Sequence, residues 1–188
     1  MLSRQKEFVI NHNRFKGKIL DIGTQTGEFS IEASKMGFDV TAVDINLSYL
    51  KKMKELQKKN KTNVKIIHAD LMNGIKGKFD TVYMGKILEH LKNPEKAVQI
   101  AINSVKKGGT LFISVPCGFA HFDPDHKNFF FPRKEYSFLL KSWLLNKSSI
   151  CLEDFFDKFN QSFSVILIDW NESKFPSLDF LVIIKVKR

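Results

Sequence analysis

Cysteine is scarce. The 188 residues hold only Cys117 and Cys151. Two thiols cannot build a disulfide framework, so a reducing, cytoplasmic compartment is expected. Long apolar runs are missing, and none nears the ~20 residues that cross a bilayer. The opening Met1-Leu2-Ser3-Arg4-Gln5-Lys6-Glu7 has no apolar core of the kind a secretory leader carries. Glycine and proline number only 10 and 5. No repeat, low-complexity tract or Pro/Ser-rich linker appears, which excludes fibrous and disordered classes. Arginine is confined to Arg4, Arg14, Arg133 and Arg188, although the net charge is +10. A basic excess is compatible with a polyanionic partner. Bidentate recognition of phosphates and bases, however, draws on arginine rather than lysine. A solvated lysine surface is the plainer reading, and nucleic acid is kept as a less favoured partner.

What is present is a core-forming composition. Hydrophobic residues make up 43% of the chain, enough for one domain, 1–188, at the usual ~100–200 residues per domain. Short apolar runs alternate with longer amphipathic ones. Strands are expected at 18–22, 39–43, 64–68, 79–83, 110–115, 164–168 and 180–184. Helices are expected at 28–36, 47–59, 94–107 with Gly108-Gly109 as its stop, 133–146 and 151–159, with a long loop over 116–132. In the first helix Phe29, Ala33 and Met36 share a face, and Gly37 stops it. Asn93 precedes Pro94 as an N-cap. Alternation of this kind means a Rossmann-like α/β fold, with a mostly parallel sheet of seven strands and helices on both faces. The last two strands are joined by only about ten residues, too few for a crossover, so they form an antiparallel pair at one edge.

Ligands of such sheets lie outside the C-terminal strand ends. The first strand runs into Asp21-Ile22-Gly23-Thr24-Gln25-Thr26-Gly27, where glycines allow a tight turn and close approach of the backbone to a ligand. The spacing is G-x-x-x-G, which does not match the nicotinamide fingerprint G-x-G-x-x-G. The second strand ends at Asp44, about twenty residues on, where an acid accepts both hydroxyls of a ribose. The third ends in Ala69-Asp70-Leu71, whose carboxylate suits an exocyclic amine. Acids at three successive strand ends around one glycine loop suit a nucleoside that carries an amino group and no phosphate.

These motifs resemble those of class I S-adenosylmethionine-dependent methyltransferases. Residues 19–27 resemble the family's first motif, Val43-Asp44 its ribose acid and Ala69-Asp70 its adenine acid. Phe79-Asp80-Thr81-Val82, Leu88-Glu89-His90-Leu91 and Asn93-Pro94 resemble the ubiquinone-biosynthesis-like branch. Lys107 to Pro116 resembles the family's fifth-strand signature. The resemblance spans about 17–116 and implies S-adenosyl-L-methionine as cofactor. It implies a cofactor site of Asp21, Gly23, Thr24, Gly27, Asp44, Ile45, Asp70, Leu71 and Met84, with Met84 lining the pocket after the fourth strand. Gln25 stands where most relatives carry Gly, and a side chain there would narrow the pocket. Where some quinone O-methyltransferases of the branch place a Mg²⁺-binding Glu, three residues before a Glu-His pair, this chain has Lys86. No metal is therefore expected.

The segment His121-Phe122-Asp123-Pro124-Asp125-His126-Lys127-Asn128-Phe129-Phe130-Phe131 follows the fifth strand and is expected to roof the acceptor site. His126 or His121 is a candidate general base for a hydroxyl or amine. The alternative is a loop anchored by buried Phe, its histidines in structural hydrogen bonds. The expected function is methyl transfer to a small-molecule, glycan or lipid-precursor acceptor. An RNA methyltransferase using the lysine surface and a cofactor-binding domain without catalysis remain the alternatives.

Overall fold

The computed structural model describes residues 2–117, 125–131, 148–169 and 178–187. A seven-stranded sheet forms its centre. In chain order come α1 (Arg4–Asn11), β1 (Lys18–Ile22), α2 (Glu28–Lys35), β2 (Asp39–Asp44), α3 (Leu47–Asn60), β3 (Lys65–His68) and β4 (Phe79–Gly85). After them come α4 (Pro94–Ser104), β5 (Val105–Pro116), β6 (Asn128–Phe131), β7 (Ser148–Cys151), α5 (Leu152–Asp157), β8 (Ser162–Asp169) and β9 (Leu178–Lys185). The order across the sheet is β3-β2-β1-β4-β5-β9-β8. β1 to β5 pair in parallel. β9 runs antiparallel to both β5 and β8, so the C-terminal hairpin puts its second strand inside and its first at the rim.

Alternation along the strands separates two faces. Ile19, Ala42, Tyr83, Phe112 and Ile183 pack with Val9 of α1, Phe29 of α2 and Met53 of α3. Leu20, Val82, Met84, Ile113 and Val182 pack with Val98 of α4 and Phe155 of α5. The period-2 pleat therefore sends Tyr83 and Met84 to opposite sides.

The helix starts expected from sequence are present. Asn46 caps α3, its side chain accepting from the N–H groups of Ser48 and Tyr49. Asn93 caps α4 by accepting from Lys96 N at 2.9 Å.

Several elements differ from the expectation. Met36 is 53% exposed, because α2 ends at Lys35 and Gly37 turns away in the left-handed region at φ +89°. α4 ends at Ser104, and β5 begins at once with Val105 opposite Phe79. The ladder then shifts so that Thr110 faces Thr81. The intervening Lys-Lys-Gly-Gly bulges, with Gly108 at φ +75°. Within the expected loop, residues 128–131 form β6, pairing in parallel with β7. Cys117 bridges to Phe130 at its side. α1 had no sequence expectation. The expected helix over 133–146 and His121 lie outside the described residues.

Candidate active site

The first turn is built from local constraints. Gly23, Gln25 and Gly27 all take left-handed backbones, at φ +69°, +52° and +81°. A Cβ at Gly23 would collide with Ile87, and one at Gly27 with the Met53 side chain of α3. Only glycine lets α2 begin this close to its neighbours. Gly23 N and Thr24 N both donate to Val43 O, tying the turn to β2. Gln25 has a Cβ in a conformation that disfavours one. Its side chain is exposed, and its N–H donates to Asp44 Oδ2 at 2.8 Å.

Beneath this turn Asp21 is buried. One of its oxygens accepts from Thr24 Oγ1 at 2.7 Å and from Ser30 Oγ at 2.6 Å. Burial raises its carboxyl above the ordinary 3.8, partly offset by those two hydroxyls and by the Lys6 charge. Asp44 is also buried, and its second oxygen accepts from Asn46 N at 2.8 Å. Each carboxylate oxygen has a further lone pair to offer. Asp70 accepts from Met72 N at 2.8 Å as cap of a short 3₁₀ turn, Leu71–Asn73. Ala69 N donates to Asp44 O, joining the ends of β2 and β3. Asp21, Asp44 and Asp70 thus stand at neighbouring strand ends, linked through one turn. Ile45 stands 64% exposed beside them, while Leu71 is buried.

A cavity of about 450 Å³ opens at this edge, lined by Asp21, Gly23, Thr24 and Gln25 from the turn and by Phe29 behind it. Ser3, Gln5 and Lys6 of the N-terminal segment, Tyr83, Gly85 and Lys86 at the end of β4, and Asp179 of β9 complete the wall. Gln5 is buried, and no acceptor among the described residues meets its Nε2. Tyr83 keeps its proton. Burial pushes its ionisation well above the ordinary 10, and the carboxylates of Asp21, Asp179 and Glu89 add to the shift. A Cβ at Gly85 would run into the Tyr83 ring and hydroxyl, so the glycine keeps that wall open.

Of the residues expected at the site, Asp21, Gly23 and Thr24 line the cavity. Met84 does not. It is fully buried on the α4 face, and its neighbours Tyr83 and Gly85 take the place expected for it. Gly27 acts through the packing of α2 on α3. His126 is buried and off the cavity wall, its ring 4.9 Å from that of His90. Glu89, His90 and His126 bring one ligating atom each within 4.8 Å of one another. Among the described residues this is the one trio able to hold a metal ion. Its members were visible in sequence as a Glu-His pair and a separate histidine, with nothing to join them. The strand after His126 braces the same turn. Lys127 N donates to Glu89 O, and the Asn128 amide donates to Leu88 O at 2.8 Å and Leu91 O at 2.7 Å. Phe129, Phe130 and Phe131 are all buried, as expected of an anchored loop end.

Sequence reading missed Gln5, Lys6, Tyr83 and Asp179. For Asp179 a signal existed: an acid directly before the apolar run Phe180-Leu181-Val182-Ile183-Ile184.

A family model described as a methyltransferase domain matches residues 2–159. The chain belongs to that family. The ubiquinone biosynthesis O-methyltransferase of Xanthomonas campestris pv. campestris (strain B100) is 29% identical over 110 residues, covering 55% of this chain and 46% of that protein. The chain spans about half the length of the curated relatives it matches. Among solved structures, the N-methyltransferase NodS of Bradyrhizobium japonicum WM9, in complex with S-adenosyl-L-homocysteine, superposes with a TM-score of 0.67. Identity is 11%, over 98% of this chain and 85% of that one. Magnesium protoporphyrin IX methyltransferase of Synechocystis PCC 6803, with bound S-adenosylmethionine, gives 0.65 at 14% identity over 96% and 76%. The fold of this methyltransferase domain is accordingly the class I, Rossmann-like one. No helix among its described residues is long and apolar enough to cross a membrane.

Proposed function

We propose that the domain binds S-adenosyl-L-methionine along the β1–β3 edge and transfers its methyl group to an oxygen or nitrogen of a small-molecule acceptor. The observation that carries this reading is the left-handed turn 23–27. It leads from a buried Asp21 at the cavity to Asp44 at the next strand end.

The residues present suit the cofactor. Asp44 offers its remaining lone pairs to the ribose hydroxyls, and Asp70 accepts from the adenine amine. Exposed Ile45 and buried Leu71 supply apolar contact for the base. The cavity falls in the 300–1,000 Å³ range of small-molecule sites. It offers two buried polar groups, the Gln5 amide and the Asp21 carboxyl, to the charged ends of an amino acid. When bound, the cofactor supplies an electrophilic methyl on a sulfonium. Gly85 and Tyr83 leave their part of the wall open and uncharged, and the turn fixes the approach. What the protein contributes is alignment, worth much of the barrier when the reacting atoms are held at contact distance.

His126, buried against His90, acts by positioning. With Asn128 it locks the 3₁₀ turn Leu88–His90 that follows Lys86. α3 turns Lys51, Lys52, Lys54, Lys58 and Lys59 to solvent, and none of them lines the cavity. This favours a small molecule over RNA. Calorimetry with S-adenosylmethionine and S-adenosylhomocysteine tests the reading. Both should bind with no added metal, and failure of both to bind would overturn it.

A further inference from the structure

The cavity wall opposite the turn carries a charged pair that cofactor binding leaves unused. Asp179 is 0% exposed, yet its carboxylate faces the cavity. Lys86 Nζ lies 2.7 Å from its Oδ1 as an ion pair. No other donor among the described residues reaches either oxygen. Asp179 stands opposite Pro116, at the C-terminal end of β5, where ligands of such sheets enter. Lys86 leaves the end of β4 in the left-handed region, φ +56°, its N–H held by Ser114 O at 2.9 Å. A non-glycine residue so held costs ~1–3 kcal/mol, and such strain collects at functional sites. A buried carboxylate whose one partner is a half-buried ammonium, with no further donor among the described residues, is poorly compensated for its desolvation. A pair on a cavity wall, with ammonium protons to spare, is well suited to meet a ligand.

We propose that Lys86, oriented by Asp179, is the catalytic residue that receives the acceptor, and that the acceptor is an oxygen acid bound as its anion: a phenol, an enol or a carboxylic acid. The proposal rests on the cofactor reading of the cavity. The proton decides between acceptor classes. Asp179 is already engaged by the Lys86 ammonium, and Tyr83 is a protonated donor. An amine acceptor would arrive as a cation next to Lys86 and a sulfonium. An oxygen acid needs no base if Lys86 lowers its pKa, because its proton leaves for bulk water on binding. The ionised oxygen's lone pair then forms the bond to the methyl carbon. The carbon–sulfur bond breaks with its pair left on sulfur, and the acceptor's negative charge cancels the sulfonium's positive one. Lys86 is unchanged at the end.

The test uses 4-nitrophenol, whose phenolate absorbs in the visible. The protein is loaded with S-adenosylhomocysteine and the probe is titrated with pH. Bound to the wild type, the probe should ionise at a pH lower by roughly one unit or more, as expected beside an unlike charge. Asp21 on β1, Lys6 on α1, Tyr83 on β4 and Glu89 in the next turn are common to every variant compared. Lys86→Met should return the midpoint to its value in buffer, and Lys86→Arg should keep most of the shift. Asp179→Asn removes the opposing carboxylate and leaves the ammonium, so it should keep or enlarge the shift. With radiolabelled S-adenosylmethionine, phenols or carboxylic acids should be methylated and amines not, and Lys86→Met should lower that rate at least tenfold. An unshifted probe in the wild type, an equal shift in Lys86→Met, or methylation confined to amines would each overturn the proposal. Absence of S-adenosylhomocysteine binding to the wild type would instead sink the cofactor reading beneath it.

Discussion

The two halves of the sheet's C-terminal edge are held in different ways. Along β1–β3 each carboxylate has at least one donor within three residues of it, and Gln25 reaches Asp44 from nineteen residues away. Asp21 holds Thr24 and Ser30, Asp44 holds Gln25 and Asn46, and Asp70 holds Met72. Along β4–β9 the groups meet from distant parts of the chain. Lys86 pairs with Asp179, and His126 and Asn128 pack on the turn containing Glu89 and His90. The first half is made mostly of local turns tied across β1–β3 by backbone groups, and the second exists only once the strands are assembled. A cofactor common to many acceptors suits the first kind of construction, and an acceptor particular to one protein suits the second.

The largest break in this contrast should come from Asp21→Ala. It removes the acceptor of two buried hydroxyls, which are left with each other at 3.2 Å, and at ~1–3 kcal/mol for each lost bond thermal unfolding should show a loss of about 2–6 kcal/mol. The same carboxyl carries a pH signature. Burial raises its pKa in the fold above the ordinary 3.8, so the folded chain holds the proton more tightly than the unfolded one. Its contribution is fully present below about pH 4 and is lost as pH rises through the raised value. In Asp21→Asn that decline should vanish, and an unchanged slope would assign it to another group.

Asn128→Ala probes the other half. It removes the donor to Leu88 O and Leu91 O and should lower stability by ~1–3 kcal/mol. Affinity for S-adenosylhomocysteine should stay within about threefold, since the turn it braces belongs to the acceptor side. A large loss of cofactor affinity with little loss of stability would erase the distinction between the halves.

How much sequence reveals follows the same division. The alternation of strands and helices, the glycine turn, the three acids and the Asn93 cap rest on patterns a few residues long, and each was legible. Gly23 and Gly27 are dictated by left-handed turns, and those turns by the strand–helix connection. Met84 was placed at the pocket by the resemblance alone, as the position after the fourth strand. That strand's continuation to Gly85 sets the alternation that puts Tyr83 on the cavity and Met84 in the core. Asp179 was passed over because β9 was taken to begin at Phe180, and its partner is fixed only by the β5–β9 register. The union of His126 with Glu89 depends on β6, a strand whose Phe-Phe-Phe run reads equally as a buried loop end.

The smallest effect sharpens the first half alone. Gln25→Gly relieves a left-handed backbone at φ +52° and should raise stability by no more than about 1 kcal/mol. The N–H to Asp44 is retained, so cofactor affinity should not fall. A clear loss of affinity in a calorimetric titration would mean that the glutamine side chain itself touches the cofactor.

The central claim is that cofactor and acceptor are served by different strands of one edge. Calorimetric titration of S-adenosylhomocysteine into the wild type, Asp44→Ala and Lys86→Met tests it most directly. Asp44→Ala should weaken binding by ~1–3 kcal/mol, roughly five- to 150-fold, as charge-assisted hydrogen bonds to two hydroxyls are lost. Lys86→Met should stay within about threefold of the wild type. Equal losses in the two variants, or a loss confined to Lys86→Met, would contradict the division.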